Sequence, residues 1–350
     1  MTNTIFSKTL INWYIGIKRE LPWRKTKNPY RIWISEIILQ QTRVAQGYDY
    51  YIRFINRFPD VKSLSEAPED EVLKYWQGLG YYSRARNLHT AAHQIIKKHN
   101  GIFPILYKDV LALKGVGEYT AAAICSFAFN QPYATVDGNV YRILSRLYDI
   151  DLPIDSNEGK KYFAVLAQQL LSKNDPATHN QAMMEFGAVH CLPKNPACNE
   201  CPFQEKCIAF ANGSVIQRPV KQQKTEVKNR YFNYFHIRLG ENILLNKRTG
   251  NDIWKNLYEF PLIETSEKLE FNSLSLSEDF QKMFSGINNI SFSLKQRDII
   301  HVLSHRRIIT NYYEVTVSGL NDCLKQYLCI PEKEFEKYAV SRLVHLLVSE

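Results

Sequence analysis

Two carboxylates stand where the surrounding residues suit acid–base or charge-stabilising chemistry. Glu36 lies within WISEIILQQT (33–42), where helical spacing places it among apolar side chains. Such surroundings disfavour the charged carboxylate and raise its pKa, so Glu36 can serve as an acid near neutral pH. Asp137 lies in VDGNV (136–140), at the mouth of the next helix. The simpler alternatives are that Glu36 faces solvent and that Asp137 only caps its helix.

A glycine-punctuated turn in LKGVGEYT (113–120) leads into an apolar helical run. The backbone amides around Lys114, Gly115 and Gly117 can converge on one phosphate oxygen at the positive end of the following helix. The carbonyls on the other side of the turn could bind a monovalent cation. The glycines would also suit a simple break between two helices, but Leu-x-Gly-Val-Gly between helices is typical of a helix-hairpin-helix.

Three further segments carry residues that suit contacts to nucleic acid. The loop GLGYYSRAR (78–86) places Tyr81 near Arg84, which suits insertion of a ring into a base stack beside a phosphate contact. For the neighbouring Tyr82 a core position is favoured. Arg24 in LPWR (21–24) and Gln41 in the Glu36 segment are the other candidates. An ordinary surface amide is the alternative for Gln41.

Four of the seven cysteines crowd into one short stretch, at Cys191, Cys198, Cys201 and Cys207. Four thiolates so close in sequence indicate a metal site. One tight group within an odd total also indicates a reducing compartment and not a disulfide framework. The Cys-x6-Cys-x2-Cys-x5-Cys spacing differs from common zinc-finger spacings and favours a [4Fe–4S] cluster over structural zinc.

The pattern of apolar residues predicts a multidomain protein, with an all-α domain followed by a mixed α/β domain. Residues 1–212 have helical spacing interrupted by prolines, and residues 213–228 form a polar, basic linker. Residues 229–350 contain alternating, strand-like runs at Tyr231–Leu239 and Ile309–Val317. A last helix is predicted near Glu332–Leu347, and residues 264–297 have too weak a period to predict an element.

Bulk properties narrow the partner and the compartment. The formal net charge of +9 favours a polyanionic partner. The first residues lack a cleavable signal, and no apolar run approaches the length of a membrane span. We therefore expect a cytoplasmic protein, associated with the nucleoid if it is bacterial.

Together, these motifs resemble the adenine DNA glycosylases of the A/G-mismatch type, in the helix-hairpin-helix (endonuclease III) superfamily. The resemblance runs through about residues 5–212, and more loosely through 229–350. It implies a six-helix barrel, a second helical lobe that carries the iron–sulfur cluster, and DNA between the two lobes.

The resemblance also implies a reaction. A monomeric enzyme would flip adenine out of double-stranded DNA that contains A:8-oxoguanine or A:G mispairs. Glu36 would protonate adenine at N7. Asp137 would stabilise the oxocarbenium-like sugar, either electrostatically or as a transient covalent partner, as in two-carboxylate glycosidases. Tyr119 and Asn139 would orient these groups.

Two positions restrict the reaction further. Family members that also cut the DNA backbone have a lysine where this chain has Tyr119, because a Schiff base needs an amine nucleophile. We therefore expect a monofunctional glycosylase. Gln181 stands where the family often has glutamate, so an amide replaces any contact of that carboxylate to adenine, or the contact is absent.

The C-terminal domain resembles the Nudix-like domain that reads 8-oxoguanine opposite the adenine. Ser304 and His305, in LSH (303–305), match the recognition loop of the family, although an ordinary turn before a strand is the simpler interpretation. The segment GNDIWKNLYEFPLIE (250–264) lacks the glutamate array of a Nudix hydrolase, so nucleotide hydrolysis is not expected.

Two other functions are compatible with parts of the sequence. One is an endonuclease III-like lyase on oxidised pyrimidines, against which Tyr119 and the extra domain argue. The other is a non-catalytic DNA-binding iron–sulfur protein, against which the presence of both Glu36 and Asp137 argues.

Overall fold

The structure, a computed structural model, describes residues 3–222 and 226–348. Contacts within the chain define two compact units. The first comprises Met1–Glu66 and Asn87–Gln223, and the second comprises Ala67–Arg86 and Lys224–Glu350. The segment Ala67–Arg86, which precedes the predicted linker, therefore clusters with the C-terminal residues. Residues 223–225 of the predicted linker lie outside the described residues.

The described residues before 212 are helical apart from their connections, which confirms the predicted all-α character. The α-helices in this part are α1 (Asn3–Ile17), α2 (Pro29–Ile38), α3 (Val44–Arg57), α4 (Val61–Glu66), α5 (Glu69–Trp76), α6 (Ser83–His99), α7 (Tyr107–Leu111), α8 (Glu118–Phe129), α9 (Gly138–Leu147), α10 (Asn157–Leu170), α11 (Pro176–Val189) and α12 (Ile208–Ala211).

Short polar side chains fix where the helices near the site begin. Asn28 caps α2 by accepting hydrogen bonds from the N–H groups of Tyr30 and Arg31, and Pro29 occupies the first helical position. Ser156 caps α10 in the same way. Eight of the ten residues of α2 are buried, so this helix is enclosed on all sides and carries Glu36 into the interior.

One apolar core joins α1, α9, α10 and α11 in the first unit. It includes Phe6, Leu144, Phe163 and Phe186, all nearly inaccessible to solvent. Burial of each such side chain contributes about 1.5–3 kcal/mol. Three cysteines of the four-cysteine stretch pack against this core. The core therefore holds both the helix that begins at Asp137 and the candidate metal loop.

The second unit contains a seven-stranded sheet, which confirms the predicted mixed domain. A parallel pair, β1–β6, lies at its centre, and the other pairings are antiparallel. The elements are β1 (Lys228–Leu239), β2 (Asn242–Lys247), β3 (Tyr258–Glu259), β4 (Leu262–Thr265), α13 (Phe271–Ser275), α14 (Glu278–Phe284), β5 (Ser291–Val302), β6 (Arg306–Thr316), β7 (Leu328–Pro331) and α15 (Arg342–Val348).

The prediction for the end of the chain is wrong in its first half. Glu332–Lys337 forms 3₁₀ turns, and α15 starts only at Arg342. The residues between them are extended because Ala339 accepts a hydrogen bond from the Tyr258 N–H and Val340 bridges to Tyr258. This tertiary pairing overrides the local helical spacing. No helix in the described part of the chain is long and apolar enough to cross a membrane.

Candidate functional site

Glu36 and Asp137 line one pocket of about 480 Å³ in the first unit. Its walls come from the segment Arg19–Arg24, from α2 and the turn after it, from α8, from the first turn of α9, and from α11. Tyr119 and Asn139 also line it, so the pocket brings together all four residues predicted to be catalytic. Its volume is in the range of pockets that enclose small organic groups.

Glu36 is buried, with 6% of its surface exposed, so the solvent-facing alternative is wrong. The Tyr119 hydroxyl donates a hydrogen bond of 2.8 Å to its Oε2. Burial raises the pKa of Glu36 to about 7; the Tyr119 hydrogen bond opposes this shift and the nearby Asp137 charge adds to it. A carboxyl with this pKa is partly protonated at neutral pH and can donate its proton.

Asp137 caps α9 and faces the pocket at the same time. Its Oδ1 accepts hydrogen bonds of 2.9 Å from the N–H groups of Asn139 and Val140. The Asn139 side-chain amide donates to Oδ2 at 2.7 Å. Burial raises the pKa of Asp137, although these hydrogen bonds counteract it. The two interpretations made from the sequence are therefore compatible, since one carboxylate serves both as cap and as pocket wall.

Packing holds Asn139 in place. Arg142 donates to its Oδ1 at 2.8 Å. Gly187 on α11 lies so close that a Cβ there would be 2.4 Å from the Asn139 Cβ. Only glycine lets α11 approach the start of α9 this closely.

Arg19 and Glu185, two pocket residues that were not predicted from the sequence, form an ion-pair cluster with Arg24. Both arginines contact Glu185 Oε2 at 2.6 Å. Burial opposes ionisation of Glu185, but these pairs outweigh it and lower its pKa to about 2. Glu185 itself, a lone carboxylate in the apolar run of α11, is the sequence signal that could have indicated this cluster. Arg24 thus lies in the pocket wall, and its predicted contact to DNA remains a prediction.

Gln181 and Gln41 also line the pocket. The Tyr14 hydroxyl donates to Gln181 Oε1 at 2.9 Å. Gln41 follows α2 with a left-handed backbone (φ 55°) that marks a tight turn at the pocket edge.

The glycine turn adopts the backbone that its sequence predicts. Gly115 has φ 78°, and a Cβ there would be 2.6 Å from the Asn87 Cβ. The Lys114 N–H donates to Gln94 Oε1 at 2.7 Å, so this amide is engaged within the protein. Gly117 is the N-cap of α8 and has no side chain that could accept a hydrogen bond from the first N–H groups of the helix. These N–H groups are therefore the part of the hairpin that suits an anion.

Four predicted DNA-contacting residues lie in the second unit. Tyr81 is about half exposed in a left-handed conformation, and its hydroxyl hydrogen-bonds to Ser304 Oγ. Ser304 and His305 connect β5 to β6. Arg84 is buried, with its guanidinium 5.3 Å from the Trp76 ring and 5.6 Å from the Tyr81 ring. Its guanidinium also donates a hydrogen bond of 3.2 Å to the Gly80 carbonyl, so Arg84 holds the loop through a contact within the protein. Tyr82 is buried, as predicted.

The carboxylates of the segment 250–264 are paired with arginines. Glu264 and Asp252 contact Arg230, and Glu259 contacts Arg248 at 2.9 Å. Internal arginines therefore neutralise these three carboxylates.

The four cysteines of the predicted cluster line one small cavity together with Arg146, and none forms a disulfide. Arg146 donates to Cys191 Sγ and the Phe203 N–H donates to Cys201 Sγ, both at 3.4 Å. Such donors stabilise sulfur ligands of a cluster.

Across the described chain, no three His, Cys, Asp or Glu side chains are grouped in a way that could hold a single metal ion. The donor set of the cavity is four thiols, two of which accept hydrogen bonds, and this chemistry fits an iron–sulfur cluster.

Comparisons with known proteins find one family match in the helical part of the chain and another in the mixed part. Residues 34–169 match the family described as HhH-GPD superfamily base excision DNA repair protein, and residues 233–350 match the NUDIX domain family. An adenine DNA glycosylase of Buchnera aphidicola subsp. Baizongia pistaciae is 41% identical over 75% of this chain and 74% of its own. Another, of Buchnera aphidicola subsp. Schizaphis graminum, is 34% identical over 91% and 93%. The structure of a thermostable thymine-DNA glycosylase aligns with a TM-score of 0.56 at 29% identity, covering 60% of this chain and 97% of that chain.

Proposed function

Because the chain belongs to the adenine DNA glycosylase family, whose members hydrolyse N-glycosyl bonds, we propose that it removes adenine mispaired with 8-oxoguanine or guanine in double-stranded DNA. The observation that carries this proposal is one pocket holding two carboxyls with different roles. Glu36 is buried beside Tyr119 with a pKa raised to about 7, and Asp137 is held by three hydrogen bonds at the start of α9.

In the proposed reaction the protonated Glu36 gives its proton to the flipped adenine at N7. The bond between the base and C1′ of the sugar then breaks, and the electron pair leaves with the base. The Asp137 carboxylate stabilises the positive charge that develops on the sugar, because a negative charge in a dry pocket acts with little screening. Water adds to C1′, and its proton passes to a carboxylate.

Glu36 and Asp137 are supported by neighbours with defined tasks. Tyr119 holds Glu36 through its hydroxyl, and Asn139 holds Asp137 through its side-chain amide. No lysine lines the pocket in the described chain. Since a Schiff base needs an amine, this supports a monofunctional glycosylase with at most weak strand cleavage.

Recognition of the opposite base is assigned to the second unit. Ser304 and His305 would contact 8-oxoguanine, and Tyr81, which is bonded to Ser304, would enter the base stack. The first turn of α8, with Gly115 and Gly117, would bind a phosphate of the DNA backbone, with or without a monovalent cation on its carbonyl side.

A [4Fe–4S] cluster is proposed at Cys191, Cys198, Cys201 and Cys207. When bound, it would supply four iron–thiolate bonds that tie this loop to the core carrying α9. Visible absorption of the purified protein tests the assignment, and a colourless protein that contains zinc would contradict it.

The proposed function is tested with duplexes that carry A opposite 8-oxoguanine, G, C or T, followed by alkali to cut at abasic sites. Adenine release from the first two is expected, with strand breaks only after alkali. Glu36→Gln and Asp137→Asn should each slow release by at least roughly 100-fold yet still bind DNA. Failure of the wild-type protein to release adenine from any duplex would refute the function. Breaks without alkali would refute the monofunctional mechanism.

A further inference from the structure

A wide groove of about 1360 Å³ in the first unit adjoins the pocket and takes no part in the proposed reaction. It runs between α10 and the part of the chain formed by α7, the first turn of α8 and the loop before α9. Tyr119 lines both the groove and the pocket, and Val136, the neighbour of Asp137, lines the groove. The groove and the pocket therefore share a wall.

Three exposed lysines, Lys160, Lys161 and Lys173, give this groove its charge. Within the described residues none of them takes part in an ion pair, unlike Lys247, which contacts Asp70 at 2.6 Å. Among the described residues that line the groove, Glu118 is the single carboxylate. Glu158, in the first turn of α10, offsets the positive end of that helix. The three lysines outnumber Glu118, so the lining of the groove carries a net positive charge.

The wall contributed by α7 and the loop before α9 presents aromatic rings. Tyr107 and Tyr133 stack with their ring centroids 4.3 Å apart and their planes 21° from parallel. Small residues, among them Ala134 and Ala164, also line the groove. Unpaired cations combined with flat rings are the chemistry that holds an unpaired nucleic-acid strand, through phosphates and base stacking.

We propose that this groove binds the adenine-bearing strand next to the flipped nucleotide, with the three lysines on its phosphates and the tyrosine pair against an unstacked base. This inference rests on the proposed function, since it takes the flipped nucleotide to enter the adjoining pocket. Flipping one nucleotide distorts its own strand. The adjacent phosphates of that strand then lie within reach of a groove that shares Tyr119 with the pocket.

The test compares two triple variants of the full-length protein. One is Lys160→Ala/Lys161→Ala/Lys173→Ala. The control, Lys8→Ala/Lys97→Ala/Lys98→Ala, removes the same charge from exposed lysines on α1 and α6. The ligand is a duplex that carries 2′-fluoro-2′-deoxyadenosine opposite 8-oxoguanine, because the fluorine prevents base release. Affinity is measured over a range of salt concentrations.

The groove variant should bind roughly 10- to 100-fold more weakly than wild type at 0.15 M salt. The slope of log affinity against log salt concentration should become shallower by the equivalent of about two to three phosphate contacts. The control should lose at most about threefold. Equal losses in the two variants would overturn the proposal, because the lysines would then act only through overall charge.

Shortened duplexes test which DNA the groove holds. When the adenine strand is truncated on one side of the mispair, the difference between the groove variant and the control should vanish, and it should persist when the other side is truncated. If neither truncation changes the affinity difference between the groove variant and the control, the assignment to this strand is overturned. Adenine release by wild type and the control, measured in parallel with ordinary adenine, separates failure of the proposed function from failure of the groove.

Discussion

At the residue scale, the pocket depends on the different surroundings of its three carboxylates. Burial dominates at Glu36 and raises its pKa to about 7, whereas ion pairs with Arg19 and Arg24 dominate at Glu185 and lower its pKa to about 2. Asp137 is half-buried; burial raises its pKa, and three hydrogen bonds to its oxygens oppose this shift. Glu36 is thus suited to give a proton, Glu185 is suited to remain charged, and the hydrogen bonds to Asp137 favour its charged form.

Tyr119→Phe should shift the pH dependence of adenine release without abolishing it. The Tyr119 hydrogen bond favours the charged form of Glu36, so its removal raises the pKa of Glu36 further. The rate should therefore persist to a pH about one unit higher than in wild type. Single-turnover rates from pH 5 to 9 measure this shift. A descending limb displaced to lower pH would contradict the assigned role of Tyr119.

Glu185→Gln should destabilise the protein in a pH-dependent way. The folded-state pKa of Glu185 is about 2, below that of an unfolded glutamate, so its stabilisation is present above about pH 4.5 and is lost as the pH falls toward 2. Removing one partner of a buried ion pair costs about 3 kcal/mol in free energy of unfolding at pH 7.

Chemical denaturation at several pH values measures this cost. Glu241→Gln, at an exposed glutamate between β1 and β2, is the control and should change little. A deficit for Glu185→Gln that grows as the pH is lowered would show that the sign of the shift is wrong.

At the scale of elements, helix termini place the chemistry. Asp137 starts α9, Gly117 starts α8, and the end of α2 brings Glu36 to the pocket. The sequence predicted these helices because their apolar residues recur at helical spacing. It left open whether Glu36 is buried, because its burial depends on α8 and α11, which come from distant parts of the chain. Arg19 and Glu185 were missed for the same reason, being 166 residues apart.

The two glycines of the hairpin should differ in their tolerance of a side chain. Gly115→Ala places a Cβ against Asn87 and requires a left-handed backbone, so it should lower the free energy of unfolding by about 2 kcal/mol. Gly117→Ala meets open space at φ −97° and should cost less, about 0.5 kcal/mol, because alanine is a weaker N-cap than glycine. Thermal denaturation of both variants tests this contrast. A Gly117→Ala variant as unstable as Gly115→Ala would contradict the observed turn.

At the scale of the whole molecule, the division into an all-α part and a mixed part followed from the sequence, because the period of apolar residues changes between them. The weakly periodic residues 264–297 could not be predicted. Their α13 and α14 are short and are stabilised by Phe235 and Tyr313 of the sheet. The hydrogen bond between Tyr81 and Ser304 could not be predicted either, since it joins segments 223 residues apart.

The second unit should set the preference for the base opposite adenine. Ser304→Ala/His305→Ala should lower the rate with A:8-oxoguanine by roughly tenfold, the cost of about one hydrogen bond, and leave the A:G rate nearly unchanged. Ser266→Ala, at an exposed serine of the same unit, is the control. Equal losses on both mispairs would assign these residues to general DNA binding and not to reading 8-oxoguanine.

The most direct test of the account is the single-turnover rate of adenine release from an A:8-oxoguanine duplex, measured against pH for wild type and Glu36→Gln. If Glu36 is the acid, the wild-type rate is high below pH 7 and falls about tenfold per unit above it. The variant should be roughly 10²- to 10⁴-fold slower at pH 6 and lack that descending limb. A Glu36→Gln variant with the rate and pH profile of wild type would contradict the account.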